Sequence, residues 1–301
     1  MATLSEIKQR IASVRSTLKI TSAMKRIAAA KLHRAQQAIQ GMRPYEAKLQ
    51  EMLAALESLP TAVPAEGSCV SVDSDSHPAV ALVLFSSNSS LCGSFNANVA
   101  KGFRNVMDEL HASGVTADAV HIYAVGRKAA DAVRKSGYTV VKDYSTLADH
   151  PDYAHATLLT DDLLQAYARG EVHTLLLVYN HYASNASQPT RVERVPFPSQ
   201  QSEGVAVIDS SADSGGECSI SIVEPSRDEV LAALQPRVFR LKLFTTLLDA
   251  NAAEHAARTV AMQIASDNAE RLLDELTLAY NKSRQQKITS EILDLVGGQS
   301  R

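Results

Sequence analysis

Apolar or small residues recur at alternating spacings of four and three along the start of the chain. Ile7, Ile11, Val14 and Leu18 are followed by Ala28, Leu32, Ala35, Ile39 and Met42, then by Leu49, Leu53 and Leu56. A period averaging 3.5 residues, held this long, predicts a helix that winds left-handed around a partner through one seam. Thr3-Leu4-Ser5-Glu6 reads as a capping box at its start. Thr21 and Lys25 read as a polar break in the seam, Pro44 as a kink, and Pro60 and Pro64 as the end. At ~1.5 Å per residue the segment is roughly 80 Å long, well beyond the three or four turns of an ordinary domain helix.

The other end of the chain has the same character. Ser226-Arg227-Asp228-Glu229 is a second capping box directly after Pro225. Pro236 is expected to break the first turns, leaving a long helix from about Arg237 to Val296, stopped by Gly297-Gly298. Its alanine-rich stripes are Ala253, Ala257, Val260 and Ile264, then Ala265, Ala269, Leu272, Leu276 and Ala279. Two long seams at opposite ends of one chain predict an antiparallel coiled coil closed by the chain itself. The plainer alternative is that each helix lies on the middle of the chain as a surface helix.

That middle alternates short apolar runs with helical stretches. Strands are expected at Ala79–Ser86, Val120–Val125, Tyr138–Val141 and Thr174–Tyr179, with an edge strand at Arg191–Pro198. Helices are expected from about Asn96 to Ala112, at Arg127–Lys135 and at Thr157–Arg169. The alternation predicts a Rossmann-like α/β domain inserted in the coiled coil. The expected division is a first helix at 1–59, a linker at 60–78, the α/β domain at 79–198, a loop at 199–222 and the last helix at 223–301.

Charge adds a direction. Residues 1–48 hold ten Lys or Arg against Glu6 and Glu46, a local +8 within a chain of net −3, leaving −11 for the rest. Such asymmetry predicts an acidic partner for the first helix. Cys69, Cys92 and Cys218 are odd in number and far apart, which argues for a reducing compartment and against a disulfide framework or zinc site. No apolar run approaches ~20 residues. The first residues lack the apolar core of a secretory signal, so a cytosolic protein, or one held at a membrane only through partners, is expected.

Few residues suggest chemistry. No phosphate-binding glycine fingerprint is present, and none for a cofactor or metal. Gly126-Arg127-Lys128 at a helix start could meet a phosphate, but the signal is weak and a solvated helix start is the favoured account. Cys92, on a strand-to-helix turn, has the position of a nucleophile, with His111, His121 and His181 as conceivable bases; a small residue filling a tight turn is the simpler account. The basic first helix could grip nucleic acid, but its charges share a helix with a heptad seam and no nucleic-acid fold accompanies it, so no nucleic-acid partner is expected.

Several stretches resemble the gamma subunit of F-type ATP synthases, over essentially the whole chain. Ile11–Met24, continuing into Ala28–Lys31, is similar to that family's opening signature. Asp267-Asn268-Ala269, Leu276–Gln285 and Ile288-Thr289-Ser290-Glu291 are similar to its closing signature. The resemblance implies a non-catalytic rotor shaft without a cofactor. The coiled coil would penetrate a hexamer of alpha and beta subunits, which hold the nucleotide sites. The α/β domain would sit on a membrane ring of c subunits beside an epsilon subunit, at the cytoplasmic face of a bacterial inner membrane.

Residue by residue, the resemblance implies that Met24, with Lys25 and Arg26, faces an acidic lever of the beta subunit. Arg258, Arg284, Gln285 and Thr289 match coupling positions, the last three against a beta loop. Glu224 matches an acidic position near the start of the last helical region, and Cys92 lies in a turn that in the family contacts the foot of the stalk. Two departures stand out: the turn after the first strand reads Asn88-Ser89-Ser90-Leu91-Cys92-Gly93-Ser94 where the family has two more charges and glycines, and Thr259 replaces a methionine. The cysteine insert of chloroplast forms is missing. The competing reading from another class is a cysteine-dependent hydrolase with a helical dimerisation arm.

Overall fold

The computed structural model describes residues 3–58, 79–198 and 223–298. The expected linker and loop, with Pro60, Pro64, Cys69 and Cys218, lie outside the described residues.

Helix α1 (Leu4–Ser58, 55 residues) starts on the capping box read from the sequence. The Glu6 amide donates to Thr3 Oγ1 at 3.3 Å, and the Thr3 amide donates to Glu6 Oε2 at 2.9 Å. Helix α6 (Arg227–Gly298, 72 residues) begins with the Glu229 amide on Ser226 Oγ at 3.3 Å. Contacts between the two helices run in opposite senses. Thr21 meets Ser266, Leu32 and Ala35 meet Ala252 and Ala256, and Leu49, Leu53 and Leu56 meet Leu234, Val238 and Leu241. The helices therefore form one antiparallel coiled coil.

Three expectations about this coil need correction. Pro236 does not break α6, which passes through it without interruption. The proline removes one backbone bond, and burial of Leu234, Val238 and Leu241 against α1 on both sides holds the turn. Thr21 is no gap in the seam: it is buried, and its hydroxyl pairs with that of Ser266 at 2.9 Å, so the polar pair sits in register. The seam of α6 is also displaced from the stripes expected. Of the expected residues Ala269 is buried, and Ala253 is buried against Cys92 and Phe95 of the domain, whereas Ile264 is 55% exposed and Leu272 is exposed. Ala252, Ala256 and Ser266, outside the expected stripes, face α1. In so alanine-rich a helix, several faces look alike to a spacing rule, and the polar Ser266 marks the true one.

Between the helices lies a five-stranded sheet in the order β3-β2-β1-β4-β5. Its strands are β1 (Val80–Phe85), β2 (Val120–Val125), β3 (Val140–Asp143), β4 (Thr174–Asn180) and β5 (Thr190–Val195). The first four are parallel, and β5 runs antiparallel to β4. The helices are α2 (Phe95–Ala112), α3 (Arg127–Lys135), α4 (Ser145–Asp149) and α5 (Tyr153–Ala168). Strand β3 starts two residues later than expected, because Tyr138 instead packs against Phe103, ring centroids 5.7 Å apart. The short α4 was not expected at all.

All six residues of β1 are buried, as a central parallel strand requires. Leu82 and Leu84 face α2 and α3, packing on Phe103, Val106 and Val133. Ala81, Val83 and Phe85 face α5 and α6, packing on Leu159, Leu163, Leu243 and Leu247. Helix α6 thus does two jobs that the sequence presented as alternatives: one face closes the coiled coil, and the stretch from Phe239 to Ala250 covers the sheet.

Candidate functional site

In a sheet of this order, the crevice beyond the carboxyl ends of the strands, where connections leave to opposite sides, is the place to look for a ligand. Here it is filled from within. Asn180 Nδ2 donates to the Phe95 carbonyl at 2.9 Å, and Asn96 bridges Ser87 and Cys92. Cys92 and Phe95 are buried against Ala253 of α6. The N–H groups opening α3 are also taken: Arg127 donates to Asn88 Oδ1 (3.0 Å), Lys128 to the Ser87 carbonyl (3.2 Å) and Ala129 to Ser86 Oγ (2.7 Å). Gly126, at φ 104°, is needed because a Cβ there would lie 2.3 Å from the Ser86 carbonyl oxygen. The phosphate-binding reading of Gly126-Arg127-Lys128 is therefore wrong: those donors bind the chain's own turn.

Cys92 has no catalytic surroundings either. Its Sγ accepts from Asn96 Nδ2 at 3.1 Å and lies 3.6 Å from Ser87 Oγ, and no histidine is among its hydrogen-bond partners in the described residues. His181 is engaged elsewhere, with Nδ1 2.6 Å from Asp249 Oδ2. The thiol is a buried filler of the turn.

What does converge is a polar junction between the turn after β1, α4 and α6. Arg258 Nη1 meets Glu254 Oε1 at 2.6 Å, with side-chain exposures of only 11% and 7%, and Arg258 Nη2 donates to Ser89 Oγ at 2.8 Å. Asn88 Nδ2 donates to Asp149 Oδ2 and to the Ser145 carbonyl, both at 2.7 Å. Asn251 Nδ2 reaches the Ala148 carbonyl at 3.0 Å. Burial raises the Glu254 carboxyl above its ordinary range, against the pull of Arg258. Beside it His255 is buried, and its Nδ1 has no partner among the described residues. Burial, then the charges of Arg258 and Lys31, push it down to about 4. Thr259, the departure from the family pattern, is satisfied by donating to the His255 carbonyl at 2.7 Å.

Of the residues singled out from sequence, Arg258 and the Cys92 turn are brought together here. The others are spread along the molecule. Met24 and Lys25 are half-buried and Arg26 is exposed on α1. Glu224 is exposed just before α6, and Arg284, Gln285 and Thr289 are exposed near its far end, where Thr289 Oγ1 donates to the Gln285 carbonyl at 2.9 Å. Glu254, His255, Tyr182 and the His181–Asp249 pair were missed. Glu254-His255 could have been found as two polar residues inside the small-residue run Asn251–Ala257.

Comparison with known proteins agrees with this arrangement. The profile of the ATP synthase family matches residues 3–300. The ATP synthase gamma chains of Phocaeicola vulgatus and Bacteroides fragilis are each 45% identical to it, covering 99% of this chain and 99% of the relative. That of Chlorobium luteolum is 36% identical, covering 99% of this chain and 98% of its own. Among solved structures, a chain of the Euglena gracilis mitochondrial ATP synthase (OSCP/F1/c-ring, rotational state 3) has the same fold, with a TM-score of 0.66 at 18% identity, covering 99% of this chain and 93% of its own. A chain of the Tetrahymena thermophila mitochondrial ATP synthase central stalk and c-ring superposes with a TM-score of 0.56 at 19% identity, covering 82% and 99%. The chain belongs to the ATP synthase gamma-chain family, whose members form a non-catalytic subunit of the complex.

Proposed function

We propose that this chain is the rotary shaft that couples ion flow through a membrane ring of c subunits to ATP synthesis or hydrolysis at the alpha/beta interfaces. The observation that carries the reading is the antiparallel coiled coil, joined along its side to an α/β domain whose own crevice is filled. Residues 1–59 and 223–301 form the shaft and 79–198 the foot, connected by 60–78 and 199–222. The foot meets the c ring and the epsilon subunit, and the shaft lies inside the alpha/beta hexamer. No helix in the described residues is long and apolar enough to cross a membrane, so membrane contact at the cytoplasmic face of the bacterial inner membrane comes through these partners.

A single asymmetric shaft cannot touch three surrounding interfaces alike. Each interface takes the conformation that its present contact with the shaft favours, and turning the shaft passes the three through different states in succession. Met24, Lys25 and Arg26 sit on the strongly basic helix and face an acidic surface of beta. Arg284, Gln285 and Thr289 meet beta at the far end. Thr21 faces Ser266 in the seam, so by the same antiparallel register α6 runs past the start of α1 beyond Arg284, where residues 285–293 are exposed.

Two experiments test this. Purification of the chain from its native membrane should recover alpha- and beta-type subunits in threefold excess over it; recovery without them would sink the assignment. Truncation after Arg284 should leave the complex assembled, since the removed turns do not reach α1, while ion pumping driven by ATP falls more steeply than ATP hydrolysis. Undiminished pumping would show that the contact roles given to Gln285 and Thr289 are wrong.

A further inference from the structure

Tyr182 stands two residues beyond β4 and belongs to two apolar clusters at once. One contains Leu32 and Ala35 of α1 with Ala252 and Ala256 of α6; the other contains Cys92, Phe95 and Ala253. Its hydroxyl accepts from Gln36 Nε2 at 2.7 Å and donates to Asn185 Oδ1 at 2.8 Å, and its amide donates to Asp249 Oδ1 at 3.3 Å. The other oxygen of Asp249 holds His181 Nδ1 at 2.6 Å. One side chain of the α/β domain is thus wedged between both shaft helices, and its backbone is pinned to one of them.

The two helices are tied to the domain very unequally. Helix α6 has Arg240 on Asp161 (2.8 Å), Lys242 on Glu193 (2.6 Å), Asn251 on the Ala148 carbonyl and Arg258 on Ser89. Among the described residues, Gln36–Tyr182 is the hydrogen bond that joins α1 to the domain. Otherwise α1 is held to the domain by apolar packing of Ile39 and Met42 against its core. It is held to α6 by the seam, by the Thr21–Ser266 pair near one end (2.9 Å) and by Arg227 Nε on the Leu56 carbonyl at the other (2.8 Å). Around Tyr182 that seam is partly alanine, which allows close approach but interlocks little against sliding. A twisting load applied to the domain reaches α6 through these two ion pairs and two hydrogen bonds, and reaches α1 through the seam and this tyrosine.

We propose that Tyr182, backed by the His181–Asp249 pair, is a positioning residue that stops α1 from slipping on α6 under load. It makes the foot and both helices turn as one body. The proposal rests on the shaft reading. Losing one hydrogen bond of ordinary net strength multiplies the population of a slipped arrangement by roughly five.

The test uses the complete ATP synthase in sealed vesicles, carrying wild-type chain, Tyr182→Phe, Tyr182→Ala or Gln36→Leu. Ion uptake and ATP hydrolysis are measured on the same preparation, with the amount of assembled complex as control. Tyr182→Ala, which loses the packed ring as well as the bond, should keep its hydrolysis rate while the slipped population gains more than about fivefold and ions moved per ATP fall by roughly half or more against a steep opposing gradient. Tyr182→Phe and Gln36→Leu should show smaller losses that are not additive when combined. A merely structural role would lower assembly and leave the ratio in the assembled complex unchanged, and that result overturns the proposal. If Tyr182→Ala does not assemble, the Tyr182→Phe, Gln36→Leu double variant, which keeps the ring and removes the bond, decides it by the same ratio. A wild-type complex that hydrolyses ATP without moving ions would overturn the shaft reading itself, a separate outcome.

Discussion

Replacing Arg258 with alanine should cost the chain about 3–5 kcal/mol of stability, the range found when one member of a buried ion pair is removed and its partner stays behind. Glu254 and Arg258 are one turn apart on α6, nearly enclosed, and 2.6 Å from each other. Burial already works against the Glu254 carboxylate, and Arg258 is the first of the charges that oppose it. Without the guanidinium the carboxylate is left desolvated, and Ser89 loses its donor at the same time. The size of the effect therefore comes from an unpaired charge and not from the modest net worth of the bond. Two controls separate these. Glu254→Gln with Arg258→Met removes both charges at similar volume and should recover most of the loss. Acidification toward the carboxylate range should also narrow the deficit of Arg258→Ala, because Glu254 takes up a proton in the folded state. Denaturant unfolding of the purified variants reads both; a deficit below about 1 kcal/mol would mean that water reaches the pair and screens it.

Features with a period or a local rule were legible before the fold was known. The first capping box and the Ser226 cap lie where the spacing puts them, and β2 and α3 have the limits read from the sequence. The seam of α1 is buried at Ile7, Ala28, Leu32, Ala35, Leu49, Leu53 and Leu56 and half-buried between them. Residues whose role depends on a distant partner were not legible. Thr21 looks like a defect until Ser266, 245 positions away, supplies its hydrogen bond. Pro236 looks like a helix end until burial of Leu234 and Val238 outweighs one missing backbone bond. Tyr182 carries no periodic signal, because it works from an irregular segment beyond a strand. The alanines of α6 offer several equivalent stripes, and only the contact with α1 distinguishes them.

The same limit hides His255, whose expected effect is second in size and opposite in sign to the response of Arg258→Ala. Its ring is buried, its Nδ1 has no partner among the described residues, and the surrounding charges come from three elements: Glu254 and Arg258 on α6, Lys31 on α1 and Asp149 on α4. Burial weighs most, Arg258 and Lys31 add to it, Asp149 opposes, and the folded-state value falls from 6.5 to about 4. The folded chain therefore holds a neutral ring over a range in which the unfolded chain takes up a proton. Stability from this group is complete above pH 6.5, drains away as the pH falls toward 4, and changes no further below that. The gap corresponds to about 3 kcal/mol at the acid end. Glu254, raised by burial, works in the opposite direction as the pH falls, which reduces the net acid response of the wild type. Comparison with His255→Gln isolates the histidine. Unfolding midpoints measured from pH 7.5 down to 4.5 should fall more steeply for the wild type, with the two curves converging as the pH drops. Parallel curves would mean that the ring is hydrated in the folded state and that the junction between turn, α4 and α6 is more open than its side chains indicate.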